Sequence, residues 1–205
     1  MRVGGQELVR TIRVTWPEAV DHEHVAFTGA ADELACRRQT ENLALCYWNQ
    51  MPPDEPQPLV VETAMEARLV DPSTGEDLGL PLVGVLALVL DEPDGPLIVD
   101  FKTASRGGDM TEILPEMQLS PYAYLFRSTA QRPESSLEIR NLIKTKTPRI
   151  ETHRFAARSE SSFRRLFAVI RAYLDDLDAG RFIYRPSFGC SACGFRETHC
   201  RSWAG

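Results

Sequence analysis

The stretch that decides the fold is Ile98-Val99-Asp100-Phe101-Lys102-Thr103, an apolar run that ends in two side chains of opposite charge. Side chains alternate between the two faces of a strand, so a strand here places Asp100 and Lys102 on the same face. Hard divalent cations prefer carboxylate oxygens, and an ammonium group offsets charge that develops on a phosphate. The stretch therefore predicts a site on a strand that binds a metal ion and acts on a phosphate group.

Helices and strands are predicted on both sides of this stretch. A strand over 82–90 contains Gly84-Val85-Leu86-Ala87, and a turn over 91–95 joins it to the strand over 97–102. Because the earlier strand is almost wholly apolar, we expect both of its faces to be covered. The other predicted elements are helices over 6–16, 29–50, 112–128 and 163–177, the last capped by Gly180, and strands over 59–69, 137–143 and 150–155.

The strand over 59–69 alternates between apolar and charged residues. A period of two places Glu62 and Glu66 on one face. The opposite face then carries Val61, Thr63, Met65, Ala67 and Leu69.

The composition is that of a globular domain with an acidic balance. The chain has 205 residues and a formal net charge of -6, which excludes a uniformly basic surface but not a local basic groove. Lys102, Lys144 and Lys146 are the only lysines among 23 basic residues. No apolar run approaches the roughly 18 residues of a membrane span, and no apolar signal segment begins the chain. We expect a cytoplasmic protein that does not bind membranes.

Gln118-x-x-x-Tyr122 lies in the predicted helix over 112–128, which is the first helix after the Asp-x-Lys stretch. Together with the apolar hairpin, these motifs resemble the PD-(D/E)XK nuclease superfamily, and within it the RecB-like branch that includes RecB and AddB nuclease domains and the nucleases of CRISPR spacer acquisition. The resemblance runs from about Leu59 to Trp203. It implies an α/β, restriction-endonuclease-like core, a central mixed sheet flanked by helices, within a single domain: a helical part (1–57), a catalytic core (58–157) and a C-terminal helix with a Cys cluster (158–205).

The resemblance assigns a role to each of these residues. Asp100 would be a metal ligand, and Lys102 would position the attacking water and offset charge on the phosphate. Gln118 would orient the nucleophile or the substrate, Tyr122 would support it or simply pack in the core, and Glu62 stands where many RecB-like enzymes carry a glutamate. The implied activity is a Mg²⁺- or Mn²⁺-dependent exonuclease or endonuclease on single-stranded DNA or DNA ends, in repair, recombination, phage biology or CRISPR adaptation, with a helicase or a CRISPR integrase complex as a candidate partner.

Ala87 departs from the family pattern, which has the main metal-binding aspartate at this position. The intact neighbouring motifs favour a deliberate Asp-to-Ala inactivation. A natural pseudonuclease that only binds DNA, as an inactive subunit of such a complex, and a misplaced alignment are the alternatives.

Cysteines cluster near the C-terminus as Cys190-x-x-Cys193-x₆-Cys200. Clustered thiols in a reducing compartment indicate a metal site, and zinc with His199 or a distant cysteine is one possibility. A subset of RecB-like nucleases holds a [4Fe–4S] cluster with three such cysteines and one N-terminal cysteine. By that resemblance the fourth ligand is Cys36 or Cys46, and Cys36 is preferred because two arginines follow it.

Basic residues follow the predicted site along the chain. Lys144, Lys146 and Arg149, with Arg154 and Arg158 beyond them, could form a phosphate track for nucleic acid. The alternative is an ordinary solvated face, which we expect for about half of them.

Overall fold

The protein is described by a computed structural model that covers residues 4–107, 113–181, 187, 190 and 193–202. Its elements in chain order are α1 (Gly5–His22), α2 (Ala30–Gln50), β1 (Pro58–Val70), β2 (Asp77–Glu92), β3 (Gly95–Ala104), α3 (Ile113–Ala130), β4 (Ser136–Ile143), β5 (Arg149–Ala156), α4 (Glu160–Asp178) and a short π-helical turn, Arg196–Cys200. The predicted α/β class is confirmed, and each predicted helix and strand corresponds to one of these elements.

The five strands form one mixed sheet in the order β1-β2-β3-β4-β5. Three antiparallel pairs, β1–β2, β2–β3 and β4–β5, are joined by hairpins, whereas β3 and β4 run parallel and are connected through α3. A parallel connection requires a crossover, which explains why the helix stands between these two strands. The C-terminal ends of β3 and β4 therefore lie side by side at one edge of the sheet.

The main hydrophobic core lies between one face of the sheet and helices α3 and α4. Phe126 of α3 and Phe167 of α4 are fully buried there against Ile98 and Ile139 of the central strands. The opposite face carries a smaller cluster, Leu90, Leu97 and Val99, which Phe101 extends toward Tyr47 of α2. The central strands are thus covered on both faces, as parallel pairing requires.

The side-chain alternation of β1 and β2 shifts by one residue in the middle of their hairpin. Val60 and Met65 of β1 both pack on the main core, although their positions differ by an odd number, and Leu86 and Val89 of β2 do the same. Glu62 lies at the shift with φ of 41°, a left-handed conformation that is uncommon for residues other than glycine. The prediction that Val61 shares the face of Met65 is therefore wrong, and Val61 is largely exposed.

Two further expectations are corrected by the packing. Strand β2 begins at Asp77, earlier than predicted, and Val83 and Val85 in its outer half are exposed, so that only the part from Leu86 onward is covered on both faces. Helix α1 continues through Pro17 to His22, because a proline removes one backbone bond while packing against α2 persists. Within the described ranges, no helix combines the length and apolarity needed to cross a membrane.

Candidate metal and nucleic-acid site

Asp100 and Lys102 form the centre of the candidate site on β3. They lie on the face of the sheet that α3 covers, because Ile98, two residues before Asp100, belongs to the main core. Asp100 is buried, and its Oδ2 lies 2.8 Å from Nζ of Lys102, whose side chain is partly exposed. The structure thus brings the predicted carboxylate and ammonium together as an ion pair at the wall of the core.

Helix α3 places Gln118 and Tyr122 over this pair. Nε2 of Gln118 donates a long hydrogen bond of 3.4 Å to Oδ1 of Asp100 and lies 3.5 Å from the hydroxyl of Tyr122. Tyr122 also packs against the main core, so its ring takes part in core packing while its hydroxyl lies beside Gln118. The i, i+4 spacing puts both residues on the same side of α3, one turn apart.

Gly84 allows α3 to approach the sheet this closely. A Cβ atom at this position would lie 2.8 Å from Cδ1 of Leu125 and 3.9 Å from Cε1 of Tyr122. A side chain would therefore push the helix away from β2 and carry Gln118 away from Asp100. The first glycine of the Gly-x-x-Ala87 stretch is needed for packing rather than for backbone conformation.

Ala87 stands beside Asp100 in the sheet. The register pairs Leu88 with Val99, and continuing it by one residue sets Ala87 opposite Asp100. Directly opposed residues of antiparallel strands share a face, with Cβ atoms about 5 Å apart. A carboxylate at position 87 would lie on the strand next to Asp100, one residue beyond the last paired position and at the point where the alternation of β2 shifts.

Glu62 of β1 lies next to Ala87 on the other side of β2 from Asp100. The β1–β2 register pairs Val61 with Leu88 and Thr63 with Leu86, so Glu62 and Ala87 meet at the position between them, where the alternation shifts. Glu62 is exposed, and two strand spacings, about 10 Å, separate its backbone from that of Asp100. It lies at the edge of the site rather than in contact with the Asp100–Lys102 pair.

The residues present fit a divalent cation only in part. Oδ2 of Asp100 is buried and has an ion pair but no aligned hydrogen bond among the described residues, so this oxygen is available as a ligand. Ala87 supplies no oxygen. Within the part of the chain that the structure describes, no three His, Cys, Asp or Glu side chains converge as a metal-binding group.

Three of the predicted basic residues, Lys144, Lys146 and Arg149, lie at the end of the sheet where β3 and β4 end, whereas Arg154 and Arg158 lie toward the start of β4. Lys144 and Lys146 lie in the connection between β4 and β5, and neither forms an ion pair with a described carboxylate. Arg149 differs, because its guanidinium is held by Glu151 at 2.9 Å, and Arg154 is likewise paired with Glu92. Of the predicted basic residues at this end of the sheet, Lys144 and Lys146 are therefore the ones without an ion pair to a described carboxylate, and Arg106 after β3 adds a further exposed positive charge.

The described cysteines lie on α2 and near the C-terminus. All five are free of disulfides, and Cys36 is exposed on α2. Cys46, also on α2, donates a hydrogen bond from Sγ to the carbonyl of Pro148 at 3.3 Å, and burial raises the pKa of its thiol. Sγ of Cys190 accepts a hydrogen bond from the backbone N–H of Ser187 at 3.2 Å. Trp203, the end of the resemblance, lies outside the described residues.

Comparison with known proteins agrees with the fold and with the residues of the site. A central mixed sheet with an Asp-x-Lys pair on its middle strand defines the class of restriction-endonuclease-like α/β domains. The sequence model of the PD-(D/E)XK nuclease superfamily matches residues 3–201, and the chain belongs to this superfamily.

A solved structure shares the fold at low sequence identity, and a second is similar over most of its length. A protein from Eubacterium rectale described as a candidate exonuclease has a TM-score of 0.53 at 11% identity, over 97% of this chain and 76% of that one. The structure of SSO0001 has a TM-score of 0.49 at 14% identity, over 96% of this chain and 84% of that one. No curated protein matches the sequence.

Asn141 is one residue of this region that the sequence did not single out. It is the parallel-register partner of Lys102 and is buried in β4. The available signal was a single amide side chain within the run Ser136-Leu-Glu-Ile-Arg-Asn-Leu-Ile143. That signal becomes informative only when the pairing of β4 with β3 is known.

Proposed function

We propose that this chain is the nuclease domain of a Mg²⁺- or Mn²⁺-dependent enzyme acting on DNA, present here in a form that lacks one metal ligand. The convergence of Asp100, Lys102 and Gln118 at one point of β3 and α3 carries the proposal. Membership in the nuclease superfamily supports it.

The residues of the site would divide the work of phosphodiester hydrolysis. Asp100 would hold the metal, which supplies a polarised water and charge stabilisation when bound. Lys102 would place its ammonium beside the scissile phosphate and offset the charge that develops there. Gln118 would donate a hydrogen bond to the nucleophile or to the substrate, and Tyr122 would keep the amide of Gln118 in place.

Ala87 would limit the catalytic activity of the chain with the present sequence. Mg²⁺ requires near-octahedral oxygen ligation and is usually held by one or two carboxylates together with water and phosphate. Removing the carboxylate nearest Asp100 leaves one such ligand, so we expect little or no cleavage. The intact packing around Gly84 and Gln118 favours an inactivated enzyme over a scaffold that never had the site.

A DNA-binding module without catalysis is the second candidate. The absence of an oxygen at Ala87 favours it, and the two unpaired lysines beside the site serve binding equally well. In both cases we propose DNA as the ligand, as single strands or duplex ends, and the lysines would contact its phosphates rather than base edges.

A [4Fe–4S] cluster is proposed as a structural element of the same domain. Cys190, Cys193 and Cys200 would supply three thiolates, and Cys36 the fourth, a ligation that suits this cluster. Cys36 is the better candidate because it is exposed, whereas the thiol of Cys46 is engaged with the carbonyl of Pro148. Zinc at the same cysteines is the alternative. A helicase or CRISPR integrase partner and a cytoplasmic location also remain proposals.

Restoring the carboxylate tests the proposed function. The Ala87→Asp chain should cleave single-stranded or end-containing DNA with Mg²⁺ or Mn²⁺, and adding Lys102→Ala should abolish the cleavage while DNA binding stays nearly unchanged. Val85→Asp is the matched control, because it adds a carboxylate to the exposed part of the same strand. It should restore nothing.

The outcomes separate the two candidates. Cleavage by Ala87→Asp alone supports the nuclease. A folded Ala87→Asp chain that binds DNA but cuts no substrate with either metal would overturn the nuclease and leave the binding module.

A further inference from the structure

Asn141 holds a buried oxygen that nothing described in the structure satisfies. The residue is 5% exposed, and its Oδ1 has no hydrogen-bond partner among the described residues. A buried acceptor without a donor costs about 1–3 kcal/mol, so a side chain of this kind in a strand interior is unfavourable for stability alone. An apolar residue of similar size would avoid that cost.

The position of this oxygen relates it to Lys102. Parallel pairing of β3 and β4 sets Asn141 directly beside Lys102, on the face that also carries Asp100. Neighbouring strands are about 4.8 Å apart, a distance that the flexible stem of lysine spans easily. Glu151 of β5, which is paired with Asn141 in the sheet, forms an ion pair with Arg149.

The ammonium of Lys102 has three donors, and in this structure one of them faces Oδ2 of Asp100 at 2.8 Å. A divalent cation bound to Asp100 would need that same oxygen and would repel the ammonium. Lys102 must then turn to another acceptor. Oδ1 of Asn141 is the unsatisfied acceptor next to it.

We infer that Asn141 is a positioning residue that receives Lys102 when a metal occupies Asp100. It would accept a hydrogen bond from Nζ and keep the ammonium beside the metal. Lys102 would thus have two acceptors, Oδ2 of Asp100 and Oδ1 of Asn141, between which it moves. This inference rests on the proposed function, because it assumes that Asp100 binds a divalent cation.

Mn²⁺ affinity tests the inference without relying on catalysis. Binding is measured by the loss of the free Mn²⁺ electron paramagnetic resonance signal, on the full chain and on the full chain with Ala87→Asp. Asn141→Leu should weaken Mn²⁺ binding about tenfold, the effect of losing one hydrogen bond to a charged group. The same variant should melt at an equal or higher temperature without metal, because an unsatisfied buried oxygen has been removed.

Lys102→Met supplies the decisive comparison. With the ammonium absent, nothing competes for Asp100, so Asn141→Leu should no longer change the affinity for Mn²⁺. Ser120→Ala is the matched control, since Oγ of Ser120 is also buried without a hydrogen-bond partner but lies on α3, in a groove that Leu166 of α4 also lines. It should leave the affinity unchanged. If Asn141→Leu does not fold, Asn141→Val is measured instead, with and without Lys102→Met.

The failures of the two proposals are distinguishable. Mn²⁺ binding that is absent, or that survives Asp100→Asn, would overturn the metal site and this inference with it. Binding that depends on Asp100 but is unchanged by Asn141→Leu, or is reduced equally with and without Lys102, would overturn the inference alone.

Discussion

The backbone N–H of Lys144 donates a hydrogen bond of 2.7 Å to the carbonyl of Ala104, the last residue of β3. This bond extends the parallel pairing past the end of β4 and fixes the following connection against the strand that carries Asp100 and Lys102. All three lysines of the chain consequently lie at one edge of the sheet. A protein with an acidic net charge thereby has a local positive region at the candidate site.

DNA binding is expected to depend on this edge. The affinity for single-stranded DNA should fall linearly with the logarithm of salt concentration, with a slope of about -0.7 for each phosphate neutralised. Lys144→Ala with Lys146→Ala should reduce the magnitude of the slope by about 1.4 and impose no sequence preference. Fluorescence anisotropy over a series of salt concentrations measures both quantities.

Arg132→Ala with Arg181→Ala is the matched control for this prediction. Both arginines are exposed, and Arg132 lies at the opposite end of β4. Their loss should change the slope little. A slope that the lysine pair and the arginine pair alter equally would contradict a phosphate track at this edge.

The cysteine cluster should be visible in the purified protein. Protein isolated without oxygen should be brown and contain about four irons per chain, as expected for a [4Fe–4S] centre. Cys190→Ser and Cys36→Ser should each lose iron and lower the thermal stability, whereas Cys46→Ser should retain both. Iron analysis and visible absorption measure the result. Stoichiometric zinc in a colourless protein would instead establish the zinc alternative.

Gly84→Ala should destabilise the domain, because its Cβ would lie within 2.8 Å of the side chain of Leu125. Overpacking of this kind typically costs about 1–3 kcal/mol. Val85→Ala, at the neighbouring exposed position, should change the free energy of unfolding by about 0.5 kcal/mol or less. Urea unfolding measures both, and equal effects of the two substitutions would refute close packing of α3 on β2.

Arg171 should control the stability of the domain toward acid. Burial tends to raise the pKa of Asp71, but hydrogen bonds from the backbone of Ser73 and from Arg171 prevail and hold this pKa below its ordinary value. The carboxylate therefore adds stability above the unfolded pKa of about 3.9 and loses it as the pH falls through the lower folded pKa. Arg171→Gln should lower the free energy of unfolding at pH 7, because it removes a hydrogen bond to a charged group.

Urea unfolding between pH 7 and pH 2 tests the sign of this effect. The difference between the parent and Arg171→Gln should narrow as the pH drops below about 4. Arg164→Gln, which breaks an exposed pair with Glu160, should matter little at any pH. A difference that widens with acidity would contradict the assignment.

The order of elements was predictable because apolar periodicity reports burial, and burial dominates in β3, β4 and α4. The exposure of the outer half of β2 was not predictable, since this part of the strand is held by pairing with β1 while Val83 and Val85 stay exposed. The shift at Glu62 was equally inaccessible. Strict alternation assumes an uninterrupted pleat, and a single left-handed residue reverses every assignment beyond it.

The site was predictable where its residues are neighbours in sequence. Asp100 with Lys102, and Gln118 with Tyr122, follow from the periods of a strand and of a helix. Asn141 needed the β3–β4 register, a long-range contact without a local pattern. The pairing of Arg149 with Glu151 shows the opposite case, since the i, i+2 spacing on one strand already placed their side chains on the same face.

The alternation shift at Glu62 and Ala87 divides the long hairpin into an inner and an outer half, although β1 and β2 stay paired in one register from Val60 to Arg68. Pairing between β2 and β3 is confined to Leu88–Glu92 and Gly95–Val99, so only the inner half of β2 pairs with strands on both sides. The outer half is instead tied to the helices, because the hydroxyl of Tyr124 bonds the backbone of Arg68 and Val70, and Arg171 pairs with Asp71 and Glu76 at the tip. A reporter peptide or an affinity handle inserted at the tip should therefore destabilise the domain.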